Sequence, residues 1–364
     1  MPKLPRTSPR AAARPTRSDA KFADAADLLR RDIVHGIWQP GERLPTWDAL
    51  CERLDIQRPT LRRTLSILKA EGFIESAPTR ATCVHAAPPH LTRYALLFPS
   101  SPQRHGPSGW NLFWDALSIQ APVLAHELGI HIDIHYDVTA HPDCAAYVDT
   151  LDNIAKRRLA GVLIAHGGDL LDLFATKPDD ATVVHIGAGD IARSAPNICL
   201  DWDSFHSRAT DLLLARGCRR IAILAESSTN AALAAAALAE RGISVPPKWT
   251  LAIPGYLPEL ASNPVRLLVS NPADRPDALF ITDDNLVPPA LEGIHSESLS
   301  IPGDILALGH YNHPEPPHPA GVISLGFPAR DVLQAALNFC APSTRRARPP
   351  YPSIAIKPAN ENGK

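Results

Sequence analysis

The stretch from Asp19 to Val84 constrains the fold of this chain more than any other part of its sequence. Its apolar residues recur every three or four positions over residues 20–35, 47–54 and 58–70, which predicts three amphipathic helices. Beyond them, the segments FIES and ATCV are typical of two short strands. We therefore expect three helices followed by a small β-hairpin.

The ends of these helices have local physical reasons. Gly36 stops the first helix, and Thr46 can cap the second with its hydroxyl. Pro59 stands in the first turn of the third helix, where its missing N–H leaves no hydrogen bond unmade. The pattern predicts a winged helix-turn-helix domain over residues 19–85, with Ala77–Arg80 as the wing tip.

The third predicted helix presents basic and hydroxyl side chains at its N-terminal half. Leucines at helical spacing anchor the opposite face, which leaves four side chains free to project: Arg58, Thr60, Arg62 and Arg63. Entry into the major groove of DNA requires such a helix, because arginines reach phosphates and guanine edges. The alternative interpretation is a solvated helical hairpin whose arginines only keep it soluble.

The sequence of this stretch closely resembles the N-terminal domain of the GntR family. The phrase GxxxPGxxLP runs from Gly36 to Pro45, and LxxLKAEGFIE runs from Leu65 to Glu75. The resemblance implies an operator of double-stranded DNA as the partner. The DNA contacts that we carry over or place on the wing are Thr46, Arg58, Thr60, Arg62, Arg63, Arg80 and Thr82.

Three features depart from the family pattern. Asp48 stands where the family commonly has an arginine, and we expect its carboxylate to repel phosphate. Gln57 replaces the usual serine or threonine cap of the recognition helix. The wing lacks the family's glycines and has Pro78, Thr79 and Ala81 instead.

Length and charge indicate a chain of two parts. Its 364 residues are enough for two or three compact units. Residues 1–86 carry 15 Lys and Arg against 10 Asp and Glu, a balance of +5, whereas the remainder carries 21 against 28, a balance of −7. A basic front followed by an acidic remainder suits one domain that binds a polyanion and one that does not.

The first 18 residues contain five basic residues and four prolines but no apolar run. A signal peptide needs such a run, so we expect a disordered basic arm and a cytoplasmic protein without a membrane span. Six cysteines without a CxxC pair are interpreted as reduced core thiols. Neither His131 with His135 nor the series His310, His313 and His318 has the pattern of a metal site, and no metal or cofactor is expected.

After a stiff linker at residues 86–92, short apolar runs alternate with helical stretches. The runs span residues 94–98, 130–136, 161–165, 182–187, 220–225, 277–282 and 304–309. The predicted helices span residues 110–128, 143–157, 203–216, 229–241, 257–270 and 285–295. This alternation predicts an α/β fold in which two doubly wound parallel lobes follow the winged helix-turn-helix.

Residues 93–360 resemble the effector domain of the LacI/GalR family, which is related to periplasmic sugar-binding proteins. The likeness is carried by the passage from Ile198 to Leu224, by RPDALFITDDNLV (275–287) and by SIPGDILALGHYN (300–312). It implies two lobes that bind a sugar-like effector in the cleft between them and that hold a homodimer together.

Carried over by position, the effector contacts are Phe113 and Trp114 in the first helix of this region and Asp284 at a strand end. Phe113 and Trp114 are equally compatible with helix core, and Asp284 with a helix cap, in which case Asp283 could serve instead. The fourth expected effector contact is Asn230, which stands where the family usually has an arginine and so weakens the case for an anionic effector.

We predict a ligand-responsive transcription regulator, a repressor by family resemblance, rather than an enzyme. The sequence has no GxSxG, GK[ST] or HExxH motif, and the passage HIGAGDIA (185–192) lacks the third glycine of a dinucleotide loop. Two alternatives stay open. The lobes could serve mainly for dimerisation of a constitutive regulator, or the chain could be a solute-binding protein with a vestigial DNA-binding head.

Overall fold

The structure is a computed structural model that describes residues 17–76, 81–103, 110–165, 182–187, 196–312, 320–341 and 353–360. The chain forms two compact units that divide between Thr92 and Arg93, with residues 153–158 belonging to the first. In the described part of the chain, no helix is both long enough and apolar enough to cross a membrane.

The first unit is built on three helices: α1 (Arg17–Val34), α2 (Trp47–Leu54) and α3 (Arg58–Ala70). Apolar side chains from all three helices are buried in one cluster with Phe73 and Val84. α2 and α3 have the predicted bounds, and α1 begins three residues before the predicted first helix. This agreement reflects the local signals that fix each helix end.

The cap residues of α2 behave as their chemistry requires. The Thr46 hydroxyl accepts a hydrogen bond from the N–H of Ala49, and Asp55 ends the helix in the left-handed conformation with φ of 50°. Gln57 precedes α3 in extended conformation but gives no side-chain cap. The expected departure from the family cap therefore leaves the first turn of α3 without a side-chain acceptor.

Two short antiparallel strands follow, β1 (Ile74–Glu75) and β2 (Cys83–Val84). The predicted wing tip at 77–80, with Arg80, lies outside the described residues, as do residues 1–16 of the predicted basic arm. The stiff linker expected at 86–92 contains a short helix, α4 (Pro89–Thr92). The Thr92 hydroxyl closes this turn by donating to the carbonyl of Pro88.

The second unit has two lobes, each built on a six-stranded sheet. The N-lobe sheet has the order β4, β3, β5, β6, β7, β13, and all its neighbouring strands are parallel. Its strands are β3 (Arg93–Leu97), β4 (His131–His135), β5 (Gly161–Ala165), β6 (Val183–Ile186), β7 (Asn197–Leu200) and β13 (Ser353–Ile356). Its helices are α5 (Leu112–Leu128), α6 (Ala145–Ala155) and α11 (Ala329–Phe339).

The C-lobe sheet has the order β9, β8, β10, β11, β12, β14, and only β14 is antiparallel to its neighbour. Its strands are β8 (Ile221–Ala225), β9 (Thr250–Ala252), β10 (Ala278–Ile281), β11 (Leu306–His310), β12 (Ile323–Gly326) and β14 (Ala359–Asn360). Its helices are α7 (Trp202–Ala215), α8 (Ser228–Ala239), α9 (Ser262–Ser270) and α10 (Val287–Ser296).

Alternate residues of the central C-lobe strands enter two separate cores. Leu279 and Ile281 of β10 pack in a cluster with α9 and α10, whereas Ala278 and Phe280 pack in a cluster with α7 and α8. Successive side chains of a strand point to opposite faces, so both faces of this sheet are covered. The predicted fold class, a winged helix-turn-helix followed by doubly wound α/β lobes, is confirmed.

The main differences from prediction lie in elements that join the lobes or cover their edges. The strands β9, β12, β13 and β14 and the helix α11 were not predicted, and β7 was recognised only through family resemblance. Two predicted helices are each divided by a 3-10 turn, at Pro258–Ala261 before α9 and at Asp284–Leu286 before α10. Proline in the first turn favours both divisions, since it cannot donate a helical hydrogen bond.

In the described part of the chain, three very short connections pass between the two lobes. Asp201 alone separates β7 from α7, Phe327 and Pro328 separate β12 from α11, and Lys357 and Pro358 separate β13 from β14. The helix α11 returns to pack in the N-lobe core, whereas Phe327 belongs to the C-lobe core. Each lobe is therefore assembled from two separate stretches of the chain.

Gly293 sets the distance between α9 and α10, the helix pair that carries the loop after β10. A methyl group there would overlap the carbonyl oxygen of Ser262 and lie 3.1 Å from the backbone nitrogen of Arg266. We expect Gly293→Ala to lower the free energy of unfolding by about 1–3 kcal/mol through overpacking. Alanine stabilises a helix by about 1 kcal/mol relative to glycine, so helix propensity alone would raise the free energy of unfolding.

Urea denaturation of the full chain measures this effect. The control is Glu292→Ala on the exposed side of α10, for which we expect a change of no more than about 0.5 kcal/mol. A stabilised Gly293→Ala variant would contradict the packing argument.

Candidate functional site

A cavity of about 410 Å³ lies where strands of both lobes end. Strands of a parallel sheet present their carboxyl ends at one edge, which is where ligands bind in this class of fold. The cavity is lined by Asn111, Phe113, Trp114, Gly187, Cys199, Leu200, Trp202, Glu226, Asp283, Asp284, Asn285 and His310. Three of the four predicted effector contacts, Phe113, Trp114 and Asp284, are among them.

The N-lobe contributes the start of α5 to the cavity wall. The Asn111 side chain caps this helix by accepting a hydrogen bond from the N–H of Trp114 at 2.9 Å. Trp114 is only 4% exposed and packs in the N-lobe core against Phe98, whereas Phe113 is half-buried. Trp114 thus combines the core role and the cavity role that the sequence left open.

The C-lobe contributes three carboxylates, each placed just after a strand. Glu226 follows β8, and Asp283 and Asp284 follow β10. The Asp284 side chain is buried, and Asp283 and Glu226 are partly exposed. Since β8 and β10 are parallel neighbours, their ends bring the three carboxylates to the same wall.

The Asn285 side chain connects these carboxylates with the N-lobe. Its Nδ2 donates to Asp283 Oδ1 at 2.8 Å and to Asp284 Oδ1 at 3.2 Å, while its Oδ1 accepts from the N–H of Leu112 at 3.3 Å. Asn312 Nδ2 donates to the second oxygen of Asp284 at 2.6 Å. A single amide therefore holds both aspartates and also bridges the two lobes.

Neutral donors also hold Glu226. The Thr282 hydroxyl donates to Glu226 Oε2 at 3.0 Å, and Asn230 Nδ2 donates to Oε1. Asn230 was predicted to contact the effector itself, but it is absent from the residues that line the cavity. Asn230 is connected to the cavity indirectly, through its hydrogen bond to Glu226.

Burial dominates the electrostatics of the two aspartates. Burial, together with the negative charge of Glu226, raises the pKa of Asp283 to about 6. Burial and the charge of Asp283 raise the pKa of Asp284 well above its usual range. Both aspartates therefore hold their protons more tightly than exposed carboxyls do, and the hydrogen bonds from neutral amides offset this effect only in part.

His310 ends β11 beside the acidic wall. Its Nδ1 lies 4.0 Å from Asp284 Oδ1, and its ring packs among aromatic side chains, including Trp202 and Phe205 at centroid distances of 5.0 and 5.3 Å. His313 and His318 lie outside the described residues, and His131 is paired with Asp133. Among the residues that the structure describes, no three His, Cys, Asp or Glu side chains converge as a metal site requires.

Glu226, Asn285 and Trp202 were not predicted as site residues, and His310 was considered only as a metal ligand. Glu226 and His310 carry a usable signal, because each stands at or just after the end of a predicted buried strand. Of the six cysteines, only Cys218 and Cys340 are buried, so the interpretation of all six as core thiols is wrong. The HIGAGDIA passage is described only as far as Gly187, which lines the cavity.

A second candidate site lies in the first unit, at the N-terminal ends of α2 and α3. Arg58 donates to Asp48 Oδ1 through Nε at 3.2 Å and Nη2 at 2.7 Å, and both side chains are largely exposed. The carboxylate expected only to repel phosphate is therefore the partner of the first arginine of the recognition helix.

The other predicted DNA contacts differ in their surroundings. Arg62 is exposed and makes no hydrogen bond or ion pair with the described residues. Arg63 places its guanidinium 3.9 Å from the centre of the Phe22 ring on α1, which gives it a packing role inside the unit. Thr46 is exposed, and Thr60 and Thr82 are half-buried.

The raised pKa of Asp283 determines how the stability of the fold changes with pH. A carboxyl group that holds its proton more tightly in the folded chain opposes folding once it ionises, so stability falls as pH rises through about 6. Asparagine in its place can keep the hydrogen bonds from Asn285 without the charge. We expect the melting temperature of Asp283→Asn, relative to the parent, to increase between about pH 5 and about pH 8.

Thermal denaturation across this pH range measures the difference, with Glu240→Gln on the surface of the C-lobe as a control that should show no trend. Parallel pH profiles of parent and Asp283→Asn would show that Asp283 does not titrate in this way.

Two parts of the chain match known families. Residues 22–84 match the family described as bacterial regulatory proteins, gntR family, and residues 210–324 match the periplasmic binding protein-like domain. The Glc operon transcriptional activator of Escherichia coli strain K12 is 38% identical over 55 residues, and the probable fructoselysine utilization operon transcriptional repressor of the same strain is 34% identical over 53. Each alignment covers 15% of this chain and 22% of the relative, so the chain matches about a fifth of the length of these curated relatives.

Solved structures extend the comparison to the second unit. A LacI family transcriptional regulator from Lactobacillus casei with bound glucose has a TM-score of 0.53 and 18% identity, covering 74% of this chain and 98% of that one. At this identity the likeness concerns the fold. The chain thus carries a GntR-type helix-turn-helix domain and, in its second unit, the periplasmic-binding-protein-like fold of LacI-family regulators.

Proposed function

We propose that this chain is a cytoplasmic, DNA-binding transcription regulator whose operator affinity depends on a small molecule. The observation that carries the proposal is the combination, in one chain, of a GntR-type head with exposed arginines on α3 and an effector fold with a cavity between its lobes. We assign the chain no catalytic activity.

The composition of the cavity supports a sugar-like effector. Aromatic side chains can pack on the apolar face of a sugar ring, and carboxylates and amides can bind its hydroxyl groups. Phe113, Trp114 and Trp202 supply the first kind of contact, and Asp283 and Asn285 the second. The glucose bound to the Lactobacillus casei regulator is consistent with this ligand class.

We infer a population shift as the mechanism. An effector that binds residues of both lobes stabilises the lobe angle that suits it, at the expense of other angles. In a homodimer on a two-fold operator, a changed lobe angle alters the fit to the two half-sites. Repression is the sign that we propose, from the resemblance to the LacI/GalR family, and dimer formation is checked by sedimentation of the full chain.

Arg62 offers the most direct test of DNA binding. Because its guanidinium is exposed and has no partner in the described chain, Arg62→Ala should leave the fold intact and remove one contact to DNA. We expect about a tenfold loss of affinity for the DNA upstream of the chain's own gene. Fluorescence anisotropy measures the affinity, with the exposed Arg216→Ala of the second unit as a matched control.

Equal affinities of Arg62→Ala, Arg58→Ala and the parent would contradict the DNA-reading proposal. That outcome would favour a solute-binding protein with a vestigial head. Affinity lost in Arg62→Ala but insensitive to every effector would instead favour a constitutive regulator.

The pair of Asp48 and Arg58 predicts an effect on specificity. We expect Asp48→Ala to raise the affinity for random DNA severalfold, because one negative charge is removed beside the phosphates. The ratio of operator affinity to random-DNA affinity should fall, since Arg58 is no longer held in one orientation. The control is Glu52→Ala, which removes an exposed carboxylate from the same helix without affecting Arg58. An unchanged ratio in Asp48→Ala would show that the pair does not position Arg58.

A further inference from the structure

The charge of the side chains that line the cavity indicates which class of ligand can bind there. Three carboxylates line it, Glu226, Asp283 and Asp284, and none of its described lining residues is a lysine or an arginine. These described carboxylates would repel an anionic ligand. A neutral sugar would leave the negative charge of the wall uncompensated.

The protein gives these carboxylates neutral hydrogen-bond donors. Asn285 and Asn312 bind the two aspartates, and Thr282 and Asn230 bind Glu226. Buried charge is stabilised well only when it is both paired and hydrogen-bonded. The hydrogen bonds are present, and the described lining residues include no lysine or arginine to pair with these carboxylates.

One carboxylate oxygen is open to a ligand. Asp283 accepts the hydrogen bonds of Asn285 at Oδ1, and its Oδ2 accepts none from the described residues. Asp283 is partly exposed and lines the cavity. An ammonium group placed there would donate to Oδ2.

A second, independent observation comes from the opposite lobe. Trp114 lines the cavity and is 4% exposed, and its indole Nε1–H has no hydrogen-bond partner among the described residues. A buried donor of this kind is normally satisfied, which points to an acceptor supplied by a ligand. A hydroxyl oxygen fits this requirement, and Phe113 and Trp202 provide apolar surface beside it.

We propose that the cavity binds a polyhydroxylated molecule with a protonated amine, of the amino sugar or amino polyol class. Its ammonium group pairs with Asp283 and Glu226, and a hydroxyl oxygen accepts from Trp114. The inference rests on the proposed function only in taking the cavity as the effector site. A bare metal ion is a poorer match, because the volume is about 410 Å³ and the described residues form no metal cluster.

The affinity of the cavity for an amine should decrease as the pH falls. The groups that face the ammonium position are Glu226, Asp283, Asp284 and His310. Burial raises the pKa of Asp283 to about 6, so protonation below that pH removes negative charge from the wall. Affinity for an amine should therefore decrease as the pH falls through about 6, while the affinity for a neutral polyol should not.

Matched ligand pairs test the proposal on the full chain. Each pair differs by one amine in place of one hydroxyl: glucosamine and glucose, galactosamine and galactose, mannosamine and mannose, 1-amino-1-deoxyglucitol and glucitol. Thermal shift identifies the binders, and calorimetry gives their affinities. We expect at least one amine to bind about tenfold more tightly than its hydroxyl partner, which corresponds to about 1.4 kcal/mol.

Two variants test whether a preference for the amine depends on the carboxylates that line the cavity. Asp283→Asn and Glu226→Gln should each abolish most of the preference for the amine over its hydroxyl partner, and Glu240→Gln, outside the cavity, should retain that preference. Melting curves without ligand establish that each variant folds. If a variant does not fold, the preference of the parent protein for amines over their hydroxyl partners still decides the test.

Two outcomes would overturn the proposal. Hydroxyl members that bind as tightly as their amine partners would indicate a neutral sugar and leave the proposed regulator function intact. Amines that give no shift at millimolar concentration would also reject it. The DNA measurements on Arg62→Ala do not involve the cavity, so failure of the proposed DNA binding is recognised separately.

Discussion

The parallel arrangement of strands is the constraint on which the candidate effector site depends. Residues far apart in sequence come together because β8, β10 and β11 end at the same edge of one sheet. The acidic wall is assembled in this way from Glu226, Asp283 and Asp284. Hydrophobic strands buried on both faces hold these polar groups at their ends, so the stability of the core and the placement of the charge have one origin.

Local signals explain which parts of the fold the sequence could predict. The bounds of α2 and α3 follow from Thr46, Asp55 and Pro59, each of which acts within a few residues. β13 and β14 carry no comparable signal, because they exist only through pairing with strands more than thirty residues away. Long-range pairing of this kind is invisible to periodicity in a single sequence.

The same contrast between local signals and long-range pairing applies to the two candidate sites. Asp284 was found within a family phrase and Trp114 by its position in the family's first helix, but Asn285 was missed because its amide contacts Leu112, which is distant in sequence. Likewise Asp48 was recognised as a departure from the family, while its bond to Arg58 required the relative placement of two helices. Residue types could therefore be predicted, whereas their pairing depended on packing.

The three crossings between the lobes limit how the second unit can move. Each has one or two residues, and two of them contain a proline, whose ring fixes φ near −65°. Few backbone torsions are thus available to absorb a rotation of one lobe against the other. We therefore expect an effector to act through a small rotation of one lobe against the other rather than through a wide opening of the cleft.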